Sequence, residues 1–505
     1  MKYFYFSILL AFLFVCTSMQ KTDFKSSTTA KTTFENTGKK NVIFILSDDH
    51  RYDFMGFTGK VPFLETPNMD RMAREGAHIQ NAFVSTSLCS PSRASILTGQ
   101  YTHHHAVVDN QSLVPDSAVF FPKYLQKGGY ETAYIGKWHM GEHHDDPRPG
   151  FDYWASFKGQ GNYFNPSMNV NGERVEYTDS SYVTDVLTKY AVEFLDNRPK
   201  EKPFFMYLSH KAVHSDFEPA PRHKDKYANE KIDYPPTMFP PEHERATVDT
   251  SEYNYKDVPN WVKAQRYSWH GVDYMYHGQI KFDDFYKHYC ETLLALDESI
   301  GEVLDYLEKN DLMENTVVFY MGDNGFSFGE HGLIDKRQAY EESMRVPLLV
   351  MGEGLIPATS KVEEVIQNID IAPTILDLAG LETPANMDGA SFVPLLKGED
   401  MDWKDTIYYE YFWERPFPQT PTVHAIRTNQ YKYIRYHGIW DINELYDLKN
   451  DPQEMNNLIR NPEYTKLSEE LRDKLFDWIE GTGGGQMLLK RDKGRRFDYQ
   501  YHGTY

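Results

Sequence analysis

Asn41-Val42-Ile43-Phe44-Ile45-Leu46-Ser47-Asp48-Asp49 carries the reading of the fold. Its apolar run does not alternate, and a strand without alternation is covered on both faces, as in a sheet layered between helices. The run stops at two adjacent carboxylates, so the strand ends where chemistry can begin. Open α/β sheets bind ligands at the carboxyl ends of their strands.

Working outward, Glu131 to Ile135, Phe204 to Leu208, Thr316 to Met321 and Val346 to Met351 read as further strands. Thr66 to Gly76, Val183 to Leu195 and Tyr289 to Leu307 carry apolar residues at helical spacing. Strands alternating with helices predict a doubly covered α/β sheet over residues 41–400. From 401 to 482 the texture shifts to short aromatic strands, Ile407 to Phe412, Thr422 to Arg427, Tyr431 to Arg435 and Glu444 to Leu448. A helix near Tyr464 to Ile479 would close this small antiparallel α+β unit. Residues 483–505 read as a loosely ordered Gly-rich and basic tail, and 215–286 as a long aromatic stretch with small elements of its own. There is no internal repeat.

The chain has 505 residues, 40% of them apolar, with 36 Tyr and 31 Phe, as a folded globular protein requires. A formal charge of -21 argues against nucleic acid as a partner. A polyanionic ligand would have to be met by a local basic pocket. Lys2 and the apolar run Tyr3 to Val15 are too short to span a bilayer and read as a signal peptide over 1–16, followed by a polar tether over 17–40. Leu13-Phe14-Val15-Cys16 resembles a relaxed bacterial lipobox, which implies an exported protein, periplasmic or anchored at the outer membrane or cell surface through lipidated Cys16. Cys16, Cys89 and Cys290 do not make a disulfide framework, and Cys290 reads as a core residue.

The polar residues fall at strand ends. Asp48 and Asp49 end one strand, Lys137 and His139 follow another, His210 and His214 a third, and Asp323 and Asn324 a fourth. Each group alone could be a solvated turn. Two pairs of hard oxygen donors on two strand ends are what a Ca²⁺ or Mg²⁺ site requires. Cys89-Ser90-Pro91-Ser92-Arg93 opens a helix, where unpaired N–H groups favour an anionic nucleophile or substrate and Pro91 suits the first turn.

The run Cys89 to Gly99, with Asp48-Asp49, Gly136-Lys137-Trp138-His139, Ser209 to His214, Gly322-Asp323-Asn324-Gly325 and Asp335-Lys336-Arg337, resembles the type I sulfatases in residue type and order across almost the whole mature chain. The resemblance implies an alkaline-phosphatase-like large mixed sheet flanked by helices, plus the small C-terminal sheet with its helix. It implies that Cys89 is converted to formylglycine (3-oxoalanine) by a formylglycine-generating or anaerobic sulfatase-maturating enzyme. The hydrated aldehyde attacks sulfur with one hydroxyl and expels sulfate through the other. One Ca²⁺ per chain is implied on Asp48, Asp49, Asp323, Asn324 and an oxygen of modified Cys89. Arg93 and Lys137 would hold the hydrated aldehyde, His139 would contact its second hydroxyl, and His214 and Lys336 would bind sulfate, with His214 as proton donor.

Pro147 to Trp154, Phe157 to Gly161, Tyr409 to Glu414 and Thr422-Val423-His424 resemble bacterial polysaccharide sulfatases, of N-acetylglucosamine-6-sulfate glycans or of algal ulvan. A sulfated carbohydrate is therefore the expected substrate, with His424 expected at the lip of its pocket. Two rival readings stand beside this one. A phosphatase or phosphodiesterase of the alkaline phosphatase superfamily would usually present Ser or Thr as nucleophile and often two zinc ions. A non-catalytic glycan-binding protein would be expected to have lost some of Lys137, His139, His214 and Lys336.

Overall fold

In the computed structural model, residues 39–141, 143–238 and 257–486 are described. The expected leader with Cys16, most of the tether and the tail from 487 onward lie outside them. Among the described residues no helix is long and apolar enough to cross a membrane.

Sixteen strands are described. In chain order they are β1 (Asn41–Ser47), β2 (Ala77–Phe83), β3 (Glu131–Lys137), β4 (Tyr153–Phe157), β5 (Ser167–Val170), β6 (Glu173–Glu176), β7 (Phe204–Ser209) and β8 (Thr316–Gly322). There follow β9 (Ser327–Phe328), β10 (Ile334–Asp335), β11 (Leu348–Met351), β12 (Ser360–Gln367), β13 (Thr406–Tyr411), β14 (Thr422–Thr428), β15 (Tyr431–His437) and β16 (Glu444–Asp447). The large sheet runs β12-β2-β11-β8-β1-β7-β3-β4-β5-β6. Its centre, β8-β1-β7-β3-β4, is parallel, so four of the strand ends named above share one edge. β11 runs antiparallel to β8 and β2, which makes the sheet mixed.

The unbroken apolar run of β1 is explained by its two faces. Ile43 and Ile45 join a core with the helices Val183–Asn197 and Phe282–Lys309, while Val42, Phe44 and Leu46 join another with the helices Cys89–Thr98 and Ile371–Leu378. All five side chains are fully buried. At about 1.5–3 kcal/mol for each large aliphatic or aromatic side chain buried, this strand alone contributes several kcal/mol against its ordering entropy. On β3, Gly136 is obligatory beside β7: its φ is 112°, and a Cβ there would sit 1.8 Å from the Ser209 carbonyl oxygen.

The small sheet is β13-β14-β15-β16, antiparallel throughout, backed by the helix Thr465–Gly481. Ile407, Tyr409 and Val423 pack in one cluster with Phe83, Leu88 and Tyr340, so this sheet rests on the elements that lead into the Cys89 helix and away from Lys336. Several boundaries differ from the sequence reading. β3 continues to Lys137, which places that lysine as the last strand residue, and the long helix starts at Phe282. β11 is shorter than the Val346–Met351 run because Pro347 lacks the N–H a strand interior needs. β2, β4, β5, β6 and β12 were not legible as strands, since each is short, half-polar or at an edge. Cys290 is buried in the core on the helix Phe282–Lys309.

Candidate active site

The Cys89 helix is buried along all ten residues, and its serines fasten it to the strand ends. Ser90 Oγ donates to the His139 carbonyl at 2.5 Å, and Ser92 Oγ donates to the Asp323 carbonyl. Asn110 Oδ1 accepts from Ser90 N at 3.1 Å, and Asn368 Nδ2 donates to Ser92 Oγ at 2.9 Å. Leu88 is extended and Gly99 closes the helix at φ 68°. Pro91 lies in the first turn, where its missing N–H leaves no helical bond unmade. These contacts hold the Cys89 side chain against the end of β1: its Sγ donates to Asp48 Oδ1 at 3.3 Å.

The predicted cluster assembles. One carboxylate oxygen from each of Asp48, Asp49 and Asp323 lies within 4.8 Å of the others, and all three residues have no exposed surface. Asn324 Nδ2 donates to Asp49 Oδ1 at 2.7 Å, and the buried Asn324 Oδ1 has no hydrogen-bond partner. Asp49 stands at φ 53° with its N–H bonded to Asp323 Oδ1 at 3.0 Å. Its carbonyl accepts from Tyr289 Oη at 2.9 Å. The donor set is all oxygen and strongly anionic, which fits a hard divalent ion such as Ca²⁺.

Cations ring the same point. Lys137 Nζ pairs with Asp48 and also reaches Gln160, and Lys336 Nζ reaches both Asp49 oxygens at 2.6 Å. Arg93 spans several strand ends: Nε donates to Asp323 Oδ2 at 2.9 Å, Nη1 to the Lys137 carbonyl at 2.9 Å and to Ser209 Oγ at 2.6 Å, and Nη2 lies 3.5 Å from Asp48. A ligand atom of His214 falls within 4.8 Å of Cys89 Sγ and an Asp48 oxygen, and its Nε2 is 3.8 Å from Asp49. His139 is fully buried at φ 58° with neither ring nitrogen hydrogen-bonded. Left-handed backbone at Asp49, His139, Asp335 and Arg337 concentrates strain beside the cluster, as functional sites often do.

Burial and the neighbouring carboxylates push Asp49 up to about 7 in spite of Lys336, and burial with Asp48 raises Asp323 to about 6. Asp48 goes the other way: burial opposes its charge, but Lys137 and Arg93 overcome that and hold it ionised. Burial, then the nearby lysines, keep His139 and His214 neutral.

Not every polar residue at these strand ends joins. His210 turns instead to Ser299 Oγ at 3.2 Å on the long helix. His424 lies buried in β14, opposite Glu410 and stacked edge-on against His437, with neither neighbour in the carboxylate cluster. Three residues were missed as site members. Gln160 binds Lys137, Lys211 lies 4.5 Å above the Tyr163 ring, and Tyr163 Oη donates to the His214 carbonyl at 2.7 Å. Gln160 lay inside the Phe157 to Gly161 stretch without a role, and Tyr163 sits in a loop whose spacing carries no signal. Lys211 lay inside the Ser209 to His214 run but was given no role of its own.

Residues 40–381 match the family described as Sulfatase, and residues 329–480 match the N-sulphoglucosamine sulphohydrolase C-terminal family. An N-acetylglucosamine-6-O-sulfatase of Bacteroides thetaiotaomicron is 36% identical, covering 87% of this chain and 86% of its own. An N-acetylglucosamine-6-sulfatase of Capra hircus is 30% identical over 92% of this chain and 89% of its own. A solved structure of a protein in complex with its substrate D-glucosamine-2-N,6-O-disulfate superposes with a TM-score of 0.80 at 32% identity, over 90% of this chain and all of that one. The fold is the alkaline-phosphatase-like one, shared also with a phosphonate monoester hydrolase of Agrobacterium radiobacter at a TM-score of 0.65 and 20% identity. With Cys89 and its ring of cations in place and most of the chain matched, this protein belongs to the sulfatase family and is a sulfuric ester hydrolase.

Proposed function

We propose that this enzyme removes 6-O-sulfate from glucosamine units of a sulfated glycan, using formylglycine formed from Cys89 and one Ca²⁺. The observation that carries the reading is the position of Cys89, at the start of a buried helix with its Sγ on Asp48 and with Lys137, Lys336 and His214 around that carboxylate cluster. Relatives named for N-acetylglucosamine-6-sulfate and a neighbour holding a 6-O-sulfated glucosamine support the substrate class over ulvan. Cys89, with one hard-oxygen set beside it among the described residues, disfavours the phosphatase reading, and the presence of all four of Lys137, His139, His214 and Lys336 disfavours a non-catalytic scaffold.

When present, the formylglycine hydrate supplies an oxygen nucleophile and the ion, held by Asp48, Asp49, Asp323 and Asn324, supplies Lewis acidity. The chain does the rest. Arg93 and Lys137 offset charge at position 89, and Lys336 faces the sulfate oxygens, where fixed cations favour growing negative charge. His214 is neutral in the free enzyme. An arriving sulfate anion favours its protonated form, which suits it to give a proton to the leaving sugar oxygen. His139, with both ring nitrogens open, is placed to take the proton whose loss returns position 89 to its starting state.

Export, lipidation of Cys16 and maturation by a formylglycine-generating or anaerobic sulfatase-maturating enzyme complete the proposal. The test is sulfate release by the matured enzyme from N-acetylglucosamine-6-sulfate, from glucosamine sugars sulfated elsewhere and from ulvan oligosaccharides. Release from the 6-sulfated sugar alone supports the reading. Release from ulvan alone overturns the substrate class while leaving the sulfatase chemistry standing.

A further inference from the structure

A second concentration of buried charge lies where the two sheets meet. Glu330 and His331 occupy the turn Glu330–Gly332, Glu341 and Glu342 open the helix Glu341–Met344, and Glu454 follows β16. All five residues are buried. Three of the four carboxylates have cationic partners. Arg51 takes Glu330 at 2.5 Å, Arg427 takes Glu341 at 2.9 Å, and Lys432 lies 3.1 Å from Glu341 and 2.6 Å from Glu454. Glu342 makes no ion pair among the described residues, and its buried Oε2 has no hydrogen-bond partner.

That carboxylate nevertheless faces ligands. One ligand atom from each of His331, Glu342 and Glu454 lies within 4.8 Å of the other two. A buried ionised carboxylate without a partner is costly, so the cluster needs either a bound cation or a proton. Burial, with Glu330 as a like-charged neighbour, pushes Glu342 up to about 8, and burial likewise lifts Glu454 to about 7. The cluster is thus short of positive charge as well as geometrically convergent.

We propose that His331, Glu342 and Glu454 form a second, structural metal site for a first-row divalent ion, with Zn²⁺ as the best match. Two carboxylates and an imidazole nitrogen are too few donors for Ca²⁺, which takes about six or more oxygens, and they match zinc's preference for nitrogen and oxygen at low coordination number. The placement gives the site a purpose. His331 precedes Lys336 by five residues and Glu342 follows it by six, while Glu454 belongs to the small sheet's segment. An ion here would clasp both flanks of the Lys336 segment to the C-terminal part of the chain. The site is independent of the sulfatase reading, because its test measures metal and not turnover.

The probe is Zn²⁺ added to the full-length matured chain with its carboxylate cluster kept saturated with Ca²⁺. Metal content after gel filtration should show one zinc per chain. Crystals of the same material should give an anomalous peak at the zinc edge between His331, Glu342 and Glu454. Glu342→Gln and His331→Gln should each weaken zinc binding by at least about a hundredfold, more than the loss typical of an outer partner. Absence of zinc from the wild-type chain, a peak elsewhere, or folded variants that retain zinc would each overturn the site. The wild-type peak decides the question even if a variant fails to fold. A proton on Glu342 is then the alternative occupant, and it predicts no zinc at all.

Discussion

Cys89 Sγ and Asp48 Oδ1 share a hydrogen bond of 3.3 Å, so the candidate nucleophile and the first candidate metal ligand meet on one carboxylate. Burial, followed by the charge of Asp48, pushes the Cys89 thiol far up. A thiol held protonated in this way is a poor nucleophile at neutral pH. The same position suits an oxygen nucleophile, because the charge on that oxygen would fall among Lys137, Lys336 and Arg93.

Active enzyme should therefore carry a modified residue at position 89. Mass spectrometry of the peptide containing it should read about 18 Da below the thiol form, since a thiol has become an aldehyde. Protein made without a maturation enzyme should retain the thiol and show no turnover. Full activity in a preparation carrying only thiol would remove formylglycine from the mechanism.

Ion uptake should be coupled to protons. In ion-free protein Asp49 titrates near about 7 and Asp323 near about 6, both above the ordinary 3.8. Raised carboxylates bind protons in the folded state that the unfolded chain has already released. The cluster therefore costs stability as pH climbs from about 4 through 7, and Ca²⁺ should restore it. Calorimetry in buffers of different ionisation enthalpy should show proton release on Ca²⁺ binding at pH 6 and almost none at pH 9. Asp323→Asn should reduce that release and abolish turnover. Release independent of pH would contradict the assignment.

The strand ends were legible in the sequence because hydrophobic burial and polar termination occur in the same short runs, as in Ile43 to Asp49. The residues that fasten the site were not. Ser90 and Ser92 look like ordinary helix-starting serines until the neighbouring carbonyls of His139 and Asp323 are in place. Tyr289 lies on a helix 240 residues from the Asp49 carbonyl it serves. The reach of such contacts comes from topology, which local pattern does not encode. His424 shows the converse: a resemblance alone suggested a pocket lip, and its partners Glu410 on β13 and Arg435 on β15 come from a pairing that local pattern does not encode.

His214→Ala should lower kcat for the sugar sulfate by about 10²–10⁴-fold, the usual worth of a positioned general acid. An aryl sulfate with an acidic phenol leaving group should lose much less, because its oxygen departs without needing a proton. Equal losses on the two substrates would shift His214 from proton donation to sulfate binding. His139→Ala should instead slow both substrates alike, because it acts after the leaving group has gone.

The junction between the sheets supplies a stability prediction that does not involve the chemistry. Arg427 forks onto Glu341 at 2.9 and 3.2 Å, and Lys432 adds a contact at 3.1 Å, all with little exposure. Burial works against the Glu341 charge, but Arg427 and Lys432 prevail and hold it well below the ordinary 4.5. Glu341→Gln leaves buried Arg427 without its carboxylate, while Lys432 keeps Glu454, and should destabilise the protein by roughly 3 kcal/mol at pH 7. A depressed carboxylate gives its stabilisation fully above the unfolded-state value and loses it as pH falls toward the folded-state one. The gap between parent and variant, read from urea midpoints, should therefore be widest near neutrality and narrow below about pH 4.5. A gap that stayed constant down to pH 3 would mean that the charge of Glu341 does not hold the small sheet in place.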